Sequence, residues 1–241
     1  MPNTSPKWLI GFLMLSICAF SQNSFRHGTS IAIERTDEQI VIATDSRAID
    51  ENGKRLPDTC KIRTAGKWHL SLNGMASTKG IDVFFVVGKL LRHSGDIDDR
   101  STAIVNSLTP LLNAVMQSDP VLREHAIAQG SLLGITIFGE EKKVLKLVSI
   151  KFVLADNGLI SYERHACPGE CSQNRGGVFV PSLDAPKFNW NIEPLTAVRA
   201  FVQMEIDQHL VDVGPPLQIL QINPKARPKW IEQPAVCKDQ K

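Results

Sequence analysis

The chain has 241 residues and a nearly balanced charge, with 27 Lys and Arg against 25 Asp and Glu and a formal net charge of +2. A surface with so little net field argues against nucleic acid or acidic membranes as partners. No long linker, low-complexity stretch or internal repeat interrupts the chain, which is 43% hydrophobic, so one domain with a large core is expected.

Residues 1–21 have the features of a secretory signal peptide. Lys7 supplies a positive charge, residues 8–20 form an apolar run, and Ala19 and Ser21 place small residues at positions −3 and −1 of a cleavage site. The run is shorter than the roughly 20 residues that span a bilayer, which leaves an uncleaved tether or a buried helix as weaker alternatives. We therefore expect an exported protein, periplasmic or secreted, that meets a membrane only through an uncleaved leader.

The segments that follow are rich in β-forming residues and then change to helical spacing. Strands are predicted at residues 30–35, 39–45, 61–64 and 68–72, with a hairpin between the first two, so that four strands precede any helix. Two helices are then predicted from apolar stripes, one along Ile81, Phe84, Phe85, Gly88 and Leu91, the other along Ile104, Val105, Leu108, Leu111, Leu112 and Val115. Pro110 is a kink or a boundary in the second helix.

The second half returns to strands before a further helix. Strands are predicted at residues 132–138, 144–152 and 159–162, a helix at 196–210 and a last strand at 216–222. This order indicates segregated α+β layers rather than alternating parallel βαβ units. Two sheets packed face to face, with helices on the outer faces, would bury all of these apolar stripes.

Cysteine usage also fits an exported chain. Four cysteines follow the leader: Cys60, Cys167, Cys171 and Cys237. An even number predicts one or two disulfides, and full pairing can occur in three ways. Cys167 and Cys171 flank a turn that could bring them together. With His165 they could instead bind zinc, but three ligands in an oxidising compartment make this the weaker interpretation, so neither a metal nor a cofactor is expected.

Several segments together resemble the start of a proteasome β-subunit, in the family of N-terminal nucleophile (Ntn) hydrolases. They are GTSIAI at 28–33, IVIATDSRA at 40–48, CKI at 60–62 and LNGMA at 72–76. Asp45, Arg47 and Lys61 lie 16, 18 and 32 residues beyond Thr29, in register with the family. The resemblance is clear over residues 28–90, continues in helix order to about 150 and returns at 213–220. It implies a four-layer αββα sandwich.

The resemblance also implies a catalytic mechanism. Thr29, freed at the N-terminus, would supply a hydroxyl nucleophile and an α-amine that serves as the base. Lys61 would favour the neutral amine and stabilise the developing alkoxide, while Asp45 would hold Lys61 in place. The Gly74 amide corresponds to the oxyanion-stabilising donor, although the loop before it is one residue shorter here. Arg47 would support the site structurally.

Maturation requires a second cut after the leader is removed. Signal peptidase would not favour cleavage after Gly28, because Arg26 occupies position −3. The resemblance implies self-cleavage, in which Thr29 attacks the Gly28 carbonyl, and a glycine leaves that approach unhindered. Residues 22–28 are therefore interpreted as a short propeptide, and residues 29–241 as the Ntn-hydrolase domain.

One part of the family's site is not reproduced in this sequence. An Asp and Ser cluster precedes the last glycine-rich strand in the family, but aligning on Gly214 places Leu210 and Val213 there. Asp212 and Ser172 are the nearest substitutes. The predicted function is hydrolysis of peptide or other amide bonds, and the alternatives are a small-molecule amidase or acylase, or an inactive exported scaffold with the same fold. The family's ring-forming subunits leave a homo-oligomer open.

Overall fold

A computed structural model describes residues 29–49, 54–78, 80–170, 178–179, 188–208 and 213–238. Residues 1–28, which include the predicted leader, the predicted propeptide and Gly28, lie outside these ranges. The helices are α1 (Val83–Leu91), α2 (Ile97–Ser118), α3 (Pro120–Gln129) and α4 (Pro194–Gln208), with a 3-10 helix at Ala235–Cys237. The strands are β1 (Ile31–Arg35), β2 (Ile40–Thr44), β3 (Ala48–Ile49), β4 (Arg55–Leu56), β5 (Ile62–Ala65), β6 (Trp68–Gly74), β7 (Ser77–Thr78), β8 (Ile81–Asp82), β9 (Leu133–Glu141), β10 (Val144–Leu154), β11 (Ile160–Cys167), β12 (Val178–Phe179), β13 (Gln218–Ile222) and β14 (Lys229–Glu232).

Two five-stranded sheets form the body of the protein. The first has the order β12-β1-β2-β13-β14 and the second the order β11-β10-β9-β6-β5. Neighbouring strands in both sheets are antiparallel. The predicted hairpin is confirmed, because Ile31 pairs with Thr44 and Arg35 pairs with Ile40. This mixture of helices with antiparallel sheets is compatible with the predicted α+β class.

Three apolar clusters hold the elements together. One joins the two sheets, through side chains such as Ile33 and Ile42 from the first and Phe138 and Leu147 from the second. Another joins α4 to β1, β2 and β13, with Phe201 fully buried at its centre. The third packs α1, α2 and α3 against the second sheet. Alternate side chains of the strands therefore point into different clusters, as a sheet covered on both faces requires.

Several element boundaries differ from those that the sequence predicts. The second helix starts earlier, at Ile97, and continues through Pro110 to Ser118. Pro110 and Asn106, whose carbonyl loses its usual N–H partner, are both exposed, so solvent can satisfy that carbonyl. The helix α3, which begins at Pro120 after the cap Asp119, was not predicted. Short strands such as β3, β4, β7 and β8 also escaped prediction, because two residues carry no periodicity.

A disulfide joins Cys60 to Cys237, two of the predicted candidates, across 177 residues of sequence. Cys167 is also disulfide-bonded, whereas Cys171 lies outside the described residues. Disulfides are compatible with an exported protein. Among the described helices, none has both the length and the apolarity needed to cross a bilayer.

Candidate active site

Thr29 lies at one end of the first sheet, immediately before β1, and is half-buried. It lines a cavity of about 160 Å³ together with Arg47, Lys61 and Gly74. These four residues come from separate parts of the chain, and all belong to the predicted catalytic set. The strand pairing explains part of this, because β1 starts opposite the end of β2, which leads directly into Asp45 and Arg47.

Asp45 is fully buried behind the cavity and accepts hydrogen bonds on both carboxylate oxygens. Oδ1 accepts from the Ser30 amide at 3.0 Å and from Lys61 Nζ at 2.6 Å. Oδ2 accepts from the amides of Arg47 at 3.0 Å and Gly214 at 3.1 Å. Burial raises the pKa of Asp45, and Lys61 and the backbone donors oppose that rise. The carboxylate therefore ties the residue after Thr29 to the lysine and to the segment before β13.

Lys61 precedes β5, and its side chain is only 7% exposed. Burial lowers the pKa of Lys61, while the ion pair with Asp45 raises it again and the nearby Arg47 charge lowers it further. The ammonium is thus stabilised chiefly by one carboxylate in a poorly solvated place. A lysine held in this way can present a fixed positive charge to a group reacting in the cavity.

The Gln218 side chain, which the sequence analysis did not identify, fixes the backbone on both sides of this ion pair. Gln218 is fully buried, and its Oε1 accepts from the Lys61 amide at 2.9 Å and the Ile62 amide at 3.3 Å. Its Nε2 donates to Ser46 Oγ at 2.8 Å and to the Thr59 carbonyl at 2.7 Å. The only signal in the sequence was a polar residue at the position that alternates with Leu220 and Ile222, whose side chains are buried between the sheets.

Arg47 packs against Gly214, where any side chain would overlap the guanidinium. The Gly214 carbonyl also accepts from the Ser46 amide at 3.2 Å. In the region of the family's missing Asp and Ser cluster, Val213 is buried in the apolar cluster with α4. Leu210, Asp212 and Ser172 lie outside the described residues. The backbone of Gly214, rather than a polar side chain at 213, is what this segment contributes to Asp45.

Gly74, at the end of β6, also lines the cavity and has a positive φ of 78°. A β-carbon there would lie 2.5 Å from the Leu132 carbonyl oxygen, so no other residue fits without movement. That carbonyl accepts from the Met75 amide at 2.9 Å, which fixes the turn beside the cavity.

We predict that Gly74→Ala lowers the free energy of unfolding by at least about 2 kcal/mol, because strained backbone and steric overlap add. Gly130→Ala is a matched control, since Gly130 also has a positive φ, of 64°, but open space where the methyl would be. Denaturant titration of both variants measures the difference. Equal losses would show that the contact with Leu132 is irrelevant.

The arrangement brings the Thr29 hydroxyl, the buried Lys61 ammonium and a constrained backbone turn to the same cavity, which suits attack on a carbonyl carbon. Within the described ranges, no group of three or more His, Cys, Asp or Glu side chains is placed to hold a metal ion. In comparisons with known proteins, no family model and no curated protein matched the chain.

Proposed function

We propose that this chain is an N-terminal threonine hydrolase of the Ntn type that cleaves peptide or other amide bonds. The observation that carries the proposal is the buried Asp45–Lys61 ion pair, 2.6 Å long, behind a cavity that Thr29 also lines. Burying two charges costs several kcal/mol per ion, which only excellent geometry offsets. A charge pair placed beside a hydroxyl-lined cavity is more readily explained by catalysis than by stability.

The fold assigned to this function is the four-layer αββα sandwich. The three apolar clusters support it, because they place α4 on one sheet, the two sheets together, and α1 to α3 on the other sheet. Residues 1–21 are assigned as the signal peptide, residues 22–28 as the propeptide and residues 29–241 as the catalytic domain. Self-cleavage between Gly28 and Thr29 would expose the α-amine.

In the proposed reaction, the Thr29 oxygen attacks the carbonyl carbon while the hydroxyl proton passes to the α-amine. The Lys61 ammonium favours the neutral amine and stabilises the forming alkoxide. The leaving nitrogen takes the proton as the C–N bond breaks, which leaves an ester on Thr29. Water then hydrolyses the ester, releases the carboxylic acid and restores the hydroxyl. The Gly74 amide would donate to the carbonyl oxygen as negative charge develops on it.

Export limits the substrates that this proposal allows. No ATP-driven unfolding partner is expected outside the cytoplasm, so small amides and flexible peptides are the assigned substrate class. Assembly into a homo-oligomer is compatible with the proposal but is not required by it, since the residues named in the reaction all belong to one chain.

Intact-mass analysis of the exported protein tests the proposal. We expect the wild-type chain to begin at Thr29, and Thr29→Ala to retain residues 22–28, because the alanine has no nucleophile. Ser30→Ala is the matched control: the Ser30 amide, rather than its hydroxyl, bonds Asp45, so processing should continue. A threonine-directed electrophile should label the processed chain at Thr29. A wild-type mature species that retains Gln22 and resists labelling would refute the proposal.

A further inference from the structure

The Cys60–Cys237 disulfide lies against the groups that hold Lys61 in place. Cys60 directly precedes Lys61 in the chain, and Cys237 Sγ lies 3.4 Å from Gln218 Oε1. The same oxygen accepts from the Lys61 amide at 2.9 Å and from the Ile62 amide at 3.3 Å. The disulfide is therefore part of the arrangement that positions the lysine.

Both sulfurs of the disulfide face acceptor oxygens. Cys60 Sγ lies 3.1 Å from the Ile62 carbonyl oxygen, and Cys237 Sγ faces the side-chain oxygen of Gln218. A disulfide sulfur has no hydrogen to donate, whereas a thiol is a weak donor. Reduction would thus give each new thiol an acceptor within contact distance, so the reduced state has defined hydrogen-bond partners at this place.

The hydrogen bonds of the reduced state would compete with those that fix Lys61. A side-chain amide oxygen has two lone pairs, and on Gln218 two backbone amides already use them. A Cys237 thiol that donates to this oxygen would be a third donor and would weaken at least one of these bonds. Two thiols also need more room than two bonded sulfurs, and Cys60 is only 1% exposed. The added volume would displace the backbone next to Lys61.

The segment that carries Cys237 is suited to opening without the sheets. Cys237 belongs to a three-residue 3-10 helix, and its neighbours Ala235, Val236 and Lys238 are exposed. Besides the disulfide, the segment has short-range hydrogen bonds such as that from Gln233 Nε2 to the Cys237 carbonyl at 3.3 Å. Segments with few buried contacts open locally at low free-energy cost. Such an opening brings the buried sulfur within reach of a small dithiol.

We infer that the Cys60–Cys237 disulfide is a redox switch for the threonine site, which is active when the bond is formed and inactive when it is reduced. A dithiol reductant supplies two electrons and two protons. The S–S bond between Cys60 and Cys237 breaks, each sulfur gains one hydrogen, and the reductant leaves as a disulfide. Exchange with a disulfide oxidant reverses the step. This inference rests on the proposed function, and it adds the condition under which that function operates.

A redox titration tests the inference. Cys167→Ser combined with Cys171→Ser leaves Cys60 and Cys237 as the cysteines of the processed chain. Hydrolysis and alkylation of Cys60 are measured at each ratio of reduced to oxidised dithiothreitol. We expect hydrolysis to fall by about 10- to 100-fold on reduction, because a displacement of about 1 Å can cost on the order of 100-fold. It should fall with the same midpoint as the disulfide content and return on reoxidation.

Two further chains serve as controls in the same titration. The wild-type chain should respond as the serine variant does, because the bond at Cys167 lies outside the switch. Cys60→Ser combined with Cys237→Ser should have the low activity of the reduced chain at every ratio. Hydrolysis that stays constant while Cys60 becomes alkylated, or a variant without the bond that is as active as the oxidised chain, would overturn the inference and leave the proposed function standing.

Hydrogen exchange in the wild-type chain separates the switch from a general loss of structure and needs no turnover. On reduction, the Lys61 amide, which donates to Gln218, should exchange at least about 10-fold faster. The amide of Ile150 should be unchanged, because this fully buried residue lies in β10 between β9 and β11.

Faster exchange at Lys61 alone supports the switch even if no peptide is cleaved, in which case only the proposed function fails. Unchanged exchange at Lys61, or equal acceleration at Lys61 and Ile150, would overturn the inference. The disulfide would then have no effect on the lysine or would only hold the whole fold together.

Discussion

Asp45→Asn should lower the free energy of unfolding by about 3–5 kcal/mol, the cost of leaving one member of a buried ion pair without its partner. The side-chain amide introduced by this substitution would also direct an N–H donor at the backbone N–H groups of Arg47 and Gly214, which in the wild type donate to Asp45 Oδ2. Propeptide removal and amide hydrolysis should fall by at least about 100-fold, because Lys61 loses the carboxylate that holds its charge in place. Denaturant titration and kinetics measure the two effects.

The pH dependence of this variant has a definite sign. Without Asp45, burial and Arg47 both lower the pKa of Lys61, against the weaker attraction of the Asp58 charge. Above that lowered pKa the folded chain binds fewer protons than the unfolded chain, whose lysine titrates near 10.4, so stability rises with pH across this interval. Asp45→Asn should therefore be less destabilised, relative to wild type, at pH 9 than at pH 6.

A double variant separates the structural role of the pair from its catalytic role. Asp45→Leu combined with Lys61→Met removes both charges, and such apolar replacements are often neutral or stabilising. We expect the double variant to recover most of the stability that Asp45→Asn loses and to remain inactive. Recovery of stability together with full processing would contradict a catalytic role for Lys61.

Gln218→Leu should lower the free energy of unfolding by about 3–6 kcal/mol, since several buried groups would lose their partner at about 1–3 kcal/mol each. Those groups include the Lys61 amide, Ser46 Oγ and the Thr59 carbonyl. A loss of that size is a large part of the 5–15 kcal/mol typical of folded domains. The midpoint of chemical unfolding measures it, and hydrolysis should weaken as well because Lys61 is no longer positioned.

Gln221→Leu is the matched control on the same strand. Gln221 is partly buried, and its Nε2 donates to Gln39 Oε1 at 2.6 Å, away from Lys61. Its replacement should cost about 1 kcal/mol or less and leave hydrolysis unchanged. If the two leucine variants lose equal stability, the network around Gln218 has no special importance.

The sequence predicted the main strands because their apolar positions have a clear period. The hairpin of β1 and β2, the long strands β9 and β10 and the position of α4 follow from that pattern. Helix α3 was missed because its exposed Val121 and Ile127 blur the apolar stripe. The continuation of α2 past Pro110 depends on which face of the helix meets solvent, and this is decided only when the helix packs.

For the candidate site, the sequence identified residues by their spacing but could not show how they are held. Thr29, Lys61 and Gly74 line one cavity, and Asp45 bonds Lys61. Gln218 was missed because it lies 157 positions beyond Lys61, and no local pattern connects the two. Among the cysteines, spacing could not choose the pairing of Cys60 with Cys237.

The Cys60–Cys237 disulfide has a consequence for the order in which the proposed site would be completed. It ties the residue before Lys61 to a residue 177 positions further along the chain. During synthesis from the N-terminus, Lys61 therefore emerges long before the segment that fixes its neighbour. If the proposed self-cleavage depends on that restraint, it would occur only after the last part of the chain has folded onto the site.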